Sequence, residues 1–353
     1  MRSALVRKVR WVVIALMMVA MLAYIRRTPW DAVLITMHHT TLKLLVLALC
    51  FHLLALSGKA GIWWTFLHPL GGPRLTTVAR GTLMGATLNS LFVGSSGEAG
   101  RVLLMSRLTG IPSASVVATV VLERAVDLCG FLTLLACAVF LYPVPRTLTI
   151  GASMLLGVAV AIATLQTLRR RRGRELSSES RASHSIVRRC QRYLERVFVC
   201  TRVIATRRRF AFAFALTLLD WCSELTSYAL VARAAHFPLG VGGSLLALLA
   251  VNVGFLVRVT PGNVGVFELV YATVAHSLGL PTDVAIGVAL MLHLVQDVPT
   301  SILGLTLGAR LFGPTRPPTS SAPEPLTADR LEPLLTITSS HSPRTEPTRG
   351  MYP

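Results

Sequence analysis

The sequence predicts an all-α, polytopic membrane bundle of about six full spans and two re-entrant helical hairpins, arranged as an inverted repeat. Three observations predict it. Hydrophobic residues make up 53% of the 353 residues and charged residues 14%, with a mean hydropathy of +0.61, so lipid is the solvent for most of the chain. Apolar runs recur at about 9–25, 42–58, 77–95, 114–141, 147–168, 210–233, 241–259, 264–279 and 283–311. Several of them reach the roughly 20 residues that a hydrocarbon core of about 30 Å demands of a helix. Two of the runs end in helix breakers placed in matching positions of the two halves.

The run at 9–25 is read as a retained helix. Arg2, Arg7, Lys8 and Arg10 precede Trp11 to Ile25, and Arg26, Arg27 and Thr28 stand where a signal cleavage site needs small residues. The run at 42–58 supplies the second span. The next, 77–95, ends in Gly94-Ser95-Ser96-Gly97, and the run at 241–259 ends in Thr260-Pro261-Gly262-Asn263. Both are breakers inside membrane-compatible sequence. A simple kink explains either one alone equally well, but their pairing favours hairpins. Glu98 is followed 29 residues later by Asp127, and Glu268 is followed 29 residues later by Asp297. Between them lie Gly110-Ile111-Pro112 and Gly279-Leu280-Pro281. That shared register is the mark of an internal repeat.

Charge sets the orientation. Of the formal net charge of +19, a surplus of 11 lies between Arg169 and Arg209, where 14 Arg face only Glu175, Glu179 and Glu195. Between two spans such a block reads as a cytoplasmic loop against anionic headgroups, and no nucleic-acid partner is expected. With the basic N-terminus also inside, the crossings between these anchors are the runs at 9, 42, 114 and 147. Residues 77–110 then enter and return on the cytoplasmic side, flanked by Arg74, Arg80, Arg101 and Arg107. After the loop, the run at 210 goes outward, 241–280 dips in from outside, and the run at 283 returns, leaving Arg310 and Arg316 inside. Arg26 and Arg27 fall outside and run against the bias. The halves are thus upside-down copies, the plan of many secondary transporters, whose broken helices meet near the midplane.

The expected membrane domain covers 1–312, in a bacterial inner membrane with both termini cytoplasmic. Within the basic segment 169–209, Ile186, Cys190, Leu194, Val197 and Ile204 recur at roughly helical spacing. This predicts an amphipathic helix lying on the inner membrane surface. Residues 313–353 hold nine Pro and many Ser and Thr, and are expected to be disordered.

Ionisable groups at membrane depth are costly and therefore point to function. They are Glu98, Arg101, Glu123, Arg124, Asp127, Asp220, Glu224, Arg258, Glu268 and Asp297. Glu123 and Asp127 are one helical turn apart, with Arg124 beside Asp127. Two readings stay open for this unit: an internal ion-pair brace, neutralised by Arg101 or Arg107, or a substrate contact. Asp220 and Glu224 form a second one-turn pair of like charge, which suits proton coupling; alternatively Asp220 faces water or Arg258. The amides of Gly94 to Gly97 and Gly262 to Gly265, each opening a short helix, suit an anion, although such glycines also serve close helix packing. The six cysteines hold no CxxC pair, and His38, His39, His52, His68, His276 and His293 show no ligand spacing, so neither a metal nor a cofactor is expected. No GxSxG, GxGxxG or P-loop signature is present. The chain is expected not to be an enzyme.

At Gly97-Glu98-Ala99-Gly100-Arg101, followed by Arg107, Gly110 and Glu123-Arg124-Ala125-Val126-Asp127, the chain resembles the lysylphosphatidylglycerol synthase transmembrane-region family. Pro261-Gly262-Asn263-Val264-Gly265-Val266-Phe267-Glu268 is similar to that family's second, Gly-rich motif. The likeness covers about residues 5–312. Gly94-Ser95-Ser96 replaces a Pro-containing approach to the first motif, Asn263 replaces a Gly, and His293 stands where an Arg is typical. The resemblance implies a flippase-like role, with membrane lipids of anionic or lipid-linked headgroup as partners. No soluble aminoacyl-transferase domain follows residue 312, so the expectation is a stand-alone member acting on lipid made elsewhere.

Taken together, a headgroup is expected to enter a polar cavity between the halves. There it would be held by Gly97, Glu98, Arg101, Glu123, Arg124, Asp127, Pro261, Gly262, Gly265, Glu268 and Asp297, with Asp220 and Glu224 available for protons. Its phosphate would meet the hairpin helix ends and Arg101 or Arg124. The alternatives are an integral membrane enzyme with a carboxylate base, and a non-transporting subunit anchored through the Arg-rich loop. Assembly with further copies of the chain is compatible with any of these.

Overall fold

The computed structural model describes residues 26, 30–91, 96–141, 197, 200–201, 204–255 and 260–309. The helices are α1 (Trp30–His38), α2 (Leu42–Gly71), α3 (Leu75–Leu91), α4 (Ser96–Thr109), α5 (Ser113–Leu141), α6 (Arg207–Ala234), α7 (Gly240–Gly254), a 3-10 turn (Pro261–Asn263), α8 (Val266–Ser277) and α9 (Thr282–Ala309). No strand occurs among the described residues. At about 1.5 Å per residue, α2, α5, α6 and α9 are each long enough for a hydrocarbon core of about 30 Å. The helices α4, α7 and α8 are each too short to cross alone, and α3 has 17 residues up to the edge of the described segment. They form two packed pairs, α3 with α4 and α7 with α8, where the sequence predicts hairpins. The expected spans at 9–25 and 147–168, the tail 313–353 and Arg258 lie outside the described residues.

Helix α2 and helix α9 pass the length and hydropathy test for a span. Helices α5 and α6 carry more charge, and it faces inward: Glu123 and Asp220 are buried, whereas Val121, Phe140, Phe212 and Leu219 are exposed. The same division runs along α9. Leu294, Val298, Ile302 and Leu305 form an exposed apolar stripe at a spacing of three to four, and His293, Gln296, Asp297 and Thr300 face the interior. A polar inside with an apolar outside is what a bilayer demands.

Two differences from expectation have local causes. The second span runs on to Gly71 instead of ending near residue 58. The small residues at its middle serve close packing on α6 and do not break the helix, since a Cβ at Gly58 would lie 3.5 Å from Asp220 Cβ and one at Gly61 3.3 Å from Leu216 Cδ1. Where the basic segment is described, Val197, Cys200 and Ile204 are buried with Ile62, Phe66, Ala118 and Leu122 of α2 and α5. At these positions the apolar face predicted to lie on lipid packs on protein, because α2 and α5 offer it an apolar seat.

Both Gly-x-Pro turns behave as a pair. Gly110 (φ +72°) ends α4 and Gly279 (φ +76°) ends α8, each in the left-handed region that favours glycine. Each short helix carries its acid in the first turn, Glu98 in α4 and Glu268 in α8. There the carboxylate complements the partial positive charge of the helix start.

Candidate functional site

Helices α2, α3, α4, α5, α6 and α9 surround a cavity of about 300 Å³, closed on one side by the Thr260–Asn263 turn. Gly97, Glu98, Arg101, Glu123, Arg124, Asp127, Asp220, Glu224, Gly262 and Asp297 all line it. Ser90, at the end of α3, donates to Asp297 Oδ1 at 2.9 Å. A Cβ at Gly262 (φ +60°) would come within 3.2 Å of the Ser90 carbonyl oxygen. The two hairpins therefore meet at this point, and glycine is what lets the second motif approach. Gly265 is not in the wall, and Glu268 is fully buried behind His293.

In the first half the choice between brace and contact resolves by residue. Arg101, 5% exposed, donates from both terminal nitrogens to Glu123, at 3.1 and 2.7 Å. Its guanidinium carbon lies 4.7 Å from the ring centre of Trp63, and Trp63 Nε1 donates to Thr119 Oγ1 at 3.0 Å. This bidentate, stacked pair is a brace. Arg107 is not its partner. Arg124, with 49% of its side chain exposed, instead bridges Glu98 and Asp127 and faces the cavity.

The second half repeats the acid–base–acid pattern with histidine. His293 Nδ1 lies 2.6 Å from Glu268 Oε1, and Nε2 lies 3.5 Å from Asp297 Oδ2. Phe267 packs on the imidazole with ring centres 4.3 Å apart. The other oxygen of Glu268 accepts from the Gly265 N–H at 2.6 Å, which caps the start of α8. Glu98–Arg124–Asp127 and Glu268–His293–Asp297 are thus counterparts, one open to the cavity and one largely sealed. The sequence marks the acids and shows His293 standing where an Arg is typical of the family; its contacts with Glu268 and Asp297 come from the fold.

Two further bases were missed. Lys59 Nζ lies 3.9 Å from Asp220 Oδ1, and His52 Nδ1 lies 3.4 Å from Glu224 Oε2. Both stand on α2, whose predicted end near residue 58 removed Lys59 from the list of groups at depth. The signal was the recurrence His52, Leu56, Lys59, Ile62, which puts all four on one wall. Asp220 is therefore met by Lys59 among the described residues.

At the hairpin helix ends two of the expected amides are bonded within the protein, while Gly94 and Ser95 lie outside the described residues. The Gly97 N–H donates to Asn89 Oδ1 at 2.9 Å, as Gly265 does to Glu268. Among the described residues, the cavity-lining cations with exposed side chains are Lys59 and Arg124, at 46% and 49%. Against Lys59, Arg101 and Arg124 stand six carboxylates, Glu98, Glu123, Asp127, Asp220, Glu224 and Asp297. With neutral histidines, the described wall has a formal surplus of three negative charges.

The described residues form an all-α domain with an apolar exterior and a charged interior cavity, the division expected of a membrane protein. The chain belongs to the family described as the lysylphosphatidylglycerol synthase TM region, whose model matches residues 9–304. This bears out the resemblance carried by the two glycine-rich motifs, and gives the chain a lipid-related membrane role. No individual curated protein matches it.

Proposed function

We propose that this chain moves a phospholipid or lipid-linked headgroup between leaflets. In this reading it has six full spans, α3–α4 and α7–α8 are re-entrant hairpins of an inverted repeat, and both termini lie in the cytoplasm of a cell whose membrane it crosses repeatedly. The observation that carries the reading is where buried polar atoms without a hydrogen bond collect. Among the described residues, ten buried side-chain polar atoms make no hydrogen bond to protein, and eight of them belong to cavity-lining residues: Arg101, Trp221 and both amide atoms of Asn263, together with His52, Asp220, Glu224 and His293, whose atoms have only a longer contact with an oppositely charged group. Buried polar groups are ordinarily bonded, so a wall of such atoms suits a polar guest.

The cavity volume lies at the low end of small-ligand sites, roughly 300–1,000 Å³, which suits a headgroup whose tails remain in the bilayer. The barrier to be lowered is then headgroup desolvation. Lys59 and Arg124 suit the phosphate, and the acid surplus suits an ammonium or hydroxyl-bearing remainder. The test is purified full-length protein in liposomes with a fluorescent phospholipid. Movement of the probe between leaflets at unchanged mass supports the reading. A new lipid mass identifies an enzyme instead, and neither outcome in well-folded protein overturns both.

A further inference from the structure

Along the part of the cavity wall formed by α2 and α6, two bases stand opposite two acids. His52 and Lys59 stand two turns apart on α2; Asp220 and Glu224 stand one turn apart on α6. At Gly58 the two helices are close enough that a Cβ would touch Asp220 at 3.5 Å, an ordinary contact. The His52 pair is also tied to α9. Thr300 Oγ1 lies 3.1 Å from His52 Nε2, and Gln296 Nε2 donates to Glu224 Oε1 at 3.1 Å.

The chemistry of this arrangement is specific. Nδ1 of His52 and Oε2 of Glu224 face each other at 3.4 Å, both buried, without hydrogen-bond geometry and with no other partner among the described residues. A carboxylate oxygen only accepts, so the pair is satisfied when Nδ1 carries a proton. Nε2 faces a hydroxyl, which either donates to a bare nitrogen or accepts from a protonated one. The imidazole thus gains or loses a proton at Nε2 with the Thr300 hydroxyl as its partner in either state, while Nδ1 faces the Glu224 carboxylate. When it gains one, the Thr300 hydroxyl turns from donor to acceptor. Its hydrogen is then free to turn to a carbonyl one turn back, as in Thr217 and Thr306.

We propose that His52 and Glu224, held by Thr300 and Gln296, form a proton-exchange site whose loading is coupled to the position of α9. The proton comes from the aqueous cavity, binds Nε2 and returns there; no bond other than N–H forms or breaks. The groups around His52 are Glu224 and Asp220 of α6, Lys59 of its own helix, Asp297 and His293 of α9, and Asp127 and Arg124 of α5 across the cavity. With His52 neutral, the row His52, Lys59, Asp220 and Glu224 carries a formal charge of −1; loading brings it to zero. Because Thr300 and Gln296 sit on the helix that bears His293 and Asp297, rearranging their bonds acts on the second triad. The site rests on geometry alone, whereas its coupling to lipid rests on the proposed function.

Two measurements on the full chain keep these apart. Histidine-selective 13C,15N NMR in nanodiscs reads the site directly. The His52 Nε2 resonance is expected to pass between its bare and proton-bearing forms as the pH is varied, with Thr300→Val moving the resonance and Glu224→Gln displacing the change. A His52 resonance that stays constant as the pH is varied overturns the site, whether or not lipid moves. In proteoliposomes, an imposed pH gradient is expected to change wild-type transfer of a fluorescent phospholipid several-fold, and His52→Gln and Glu224→Gln are expected to abolish that response. Wild-type transfer indifferent to the gradient overturns the coupling and leaves the lipid reading intact. A titrating His52 in protein that moves no lipid retains the proton site and removes the lipid reading.

Discussion

At the residue scale, the two arginines of the first half have opposite duties, and burial separates them. Removing one partner of a buried ion pair leaves the other uncompensated, a loss of about 3–5 kcal/mol, whereas exposed pairs contribute about 0–1 kcal/mol. Glu123→Ala is therefore expected to lower the unfolding temperature in detergent sharply, because Arg101 is left charged between Trp63 and α5. Arg124→Ala is expected to leave it nearly unchanged. On lipid movement the effects separate the other way for protein that stays folded: losing the Arg124 charge-assisted bonds, at about 1.5–3 kcal/mol, slows transfer by about 10- to 100-fold. Equal loss of stability in both variants would refute the assignment of brace and contact. The acids of these pairs were legible in the sequence as rare charges in apolar runs. Their partners were not, because Arg101 is 22 residues from Glu123, and only the antiparallel return of α5 along α4 brings them together.

At the element scale, glycines decide how closely helices approach. A Cβ at Gly97 would run into the Gly85 carbonyl and Asn89, and one at Gly304 would run into Thr87 and lie 2.8 Å from the Leu83 carbonyl oxygen. Overpacking of this kind costs about 1–3 kcal/mol. Gly97→Ala and Gly304→Ala are each expected to lower thermal stability and to loosen α3 from α4 and from α9, seen as faster amide hydrogen exchange in α3. Substituting Gly279 meets open space and costs only the left-handed backbone penalty, about 1–2 kcal/mol, with exchange in α3 unaffected. The hairpins themselves were readable from breakers and spacing. The length of α2 was not: Ser57, Gly58 and Gly61 resemble a terminus in one dimension, and only the presence of α6 across from them makes them a packing face. Helix α1 was likewise outside the apolar runs, and it is held by its packing on α9 and by the Thr41 N–H bond to the Ala234 carbonyl at the start of α2.

At the scale of the whole molecule, the charged interior and apolar exterior define which surfaces water reaches. In a cysteine-free background, Asn89→Cys and Gln296→Cys, both in the cavity wall, are expected to react with a membrane-impermeant cationic thiol reagent. Leu305→Cys and Val298→Cys, on the exposed apolar stripe of α9, are expected to resist it in membranes and to react only after solubilisation and unfolding. Labelling at Leu305 in intact membranes would mean that this face is not in lipid. The same experiment at Gly262 and Gly265 reports on whether the second motif lies at depth, on which the re-entrant reading of α7–α8 depends.

Residue order alone dictates the short-range features: helical periodicity, apolar runs, glycine-proline turns at equal spacing, and acids one turn apart on a helix face. Each of these depends on neighbours within a few residues, so each is written locally. Which base meets which acid, and which pair is sealed, is settled by packing. Ion pairing requires contact within about 4 Å and its worth turns on desolvation, and both arise only when α2, α5, α6 and α9 close around one cavity. For that reason Glu98, Asp127, Asp220, Glu224 and Asp297 were found in the sequence, while the duties of His52, Lys59 and His293 emerged only from the assembled fold.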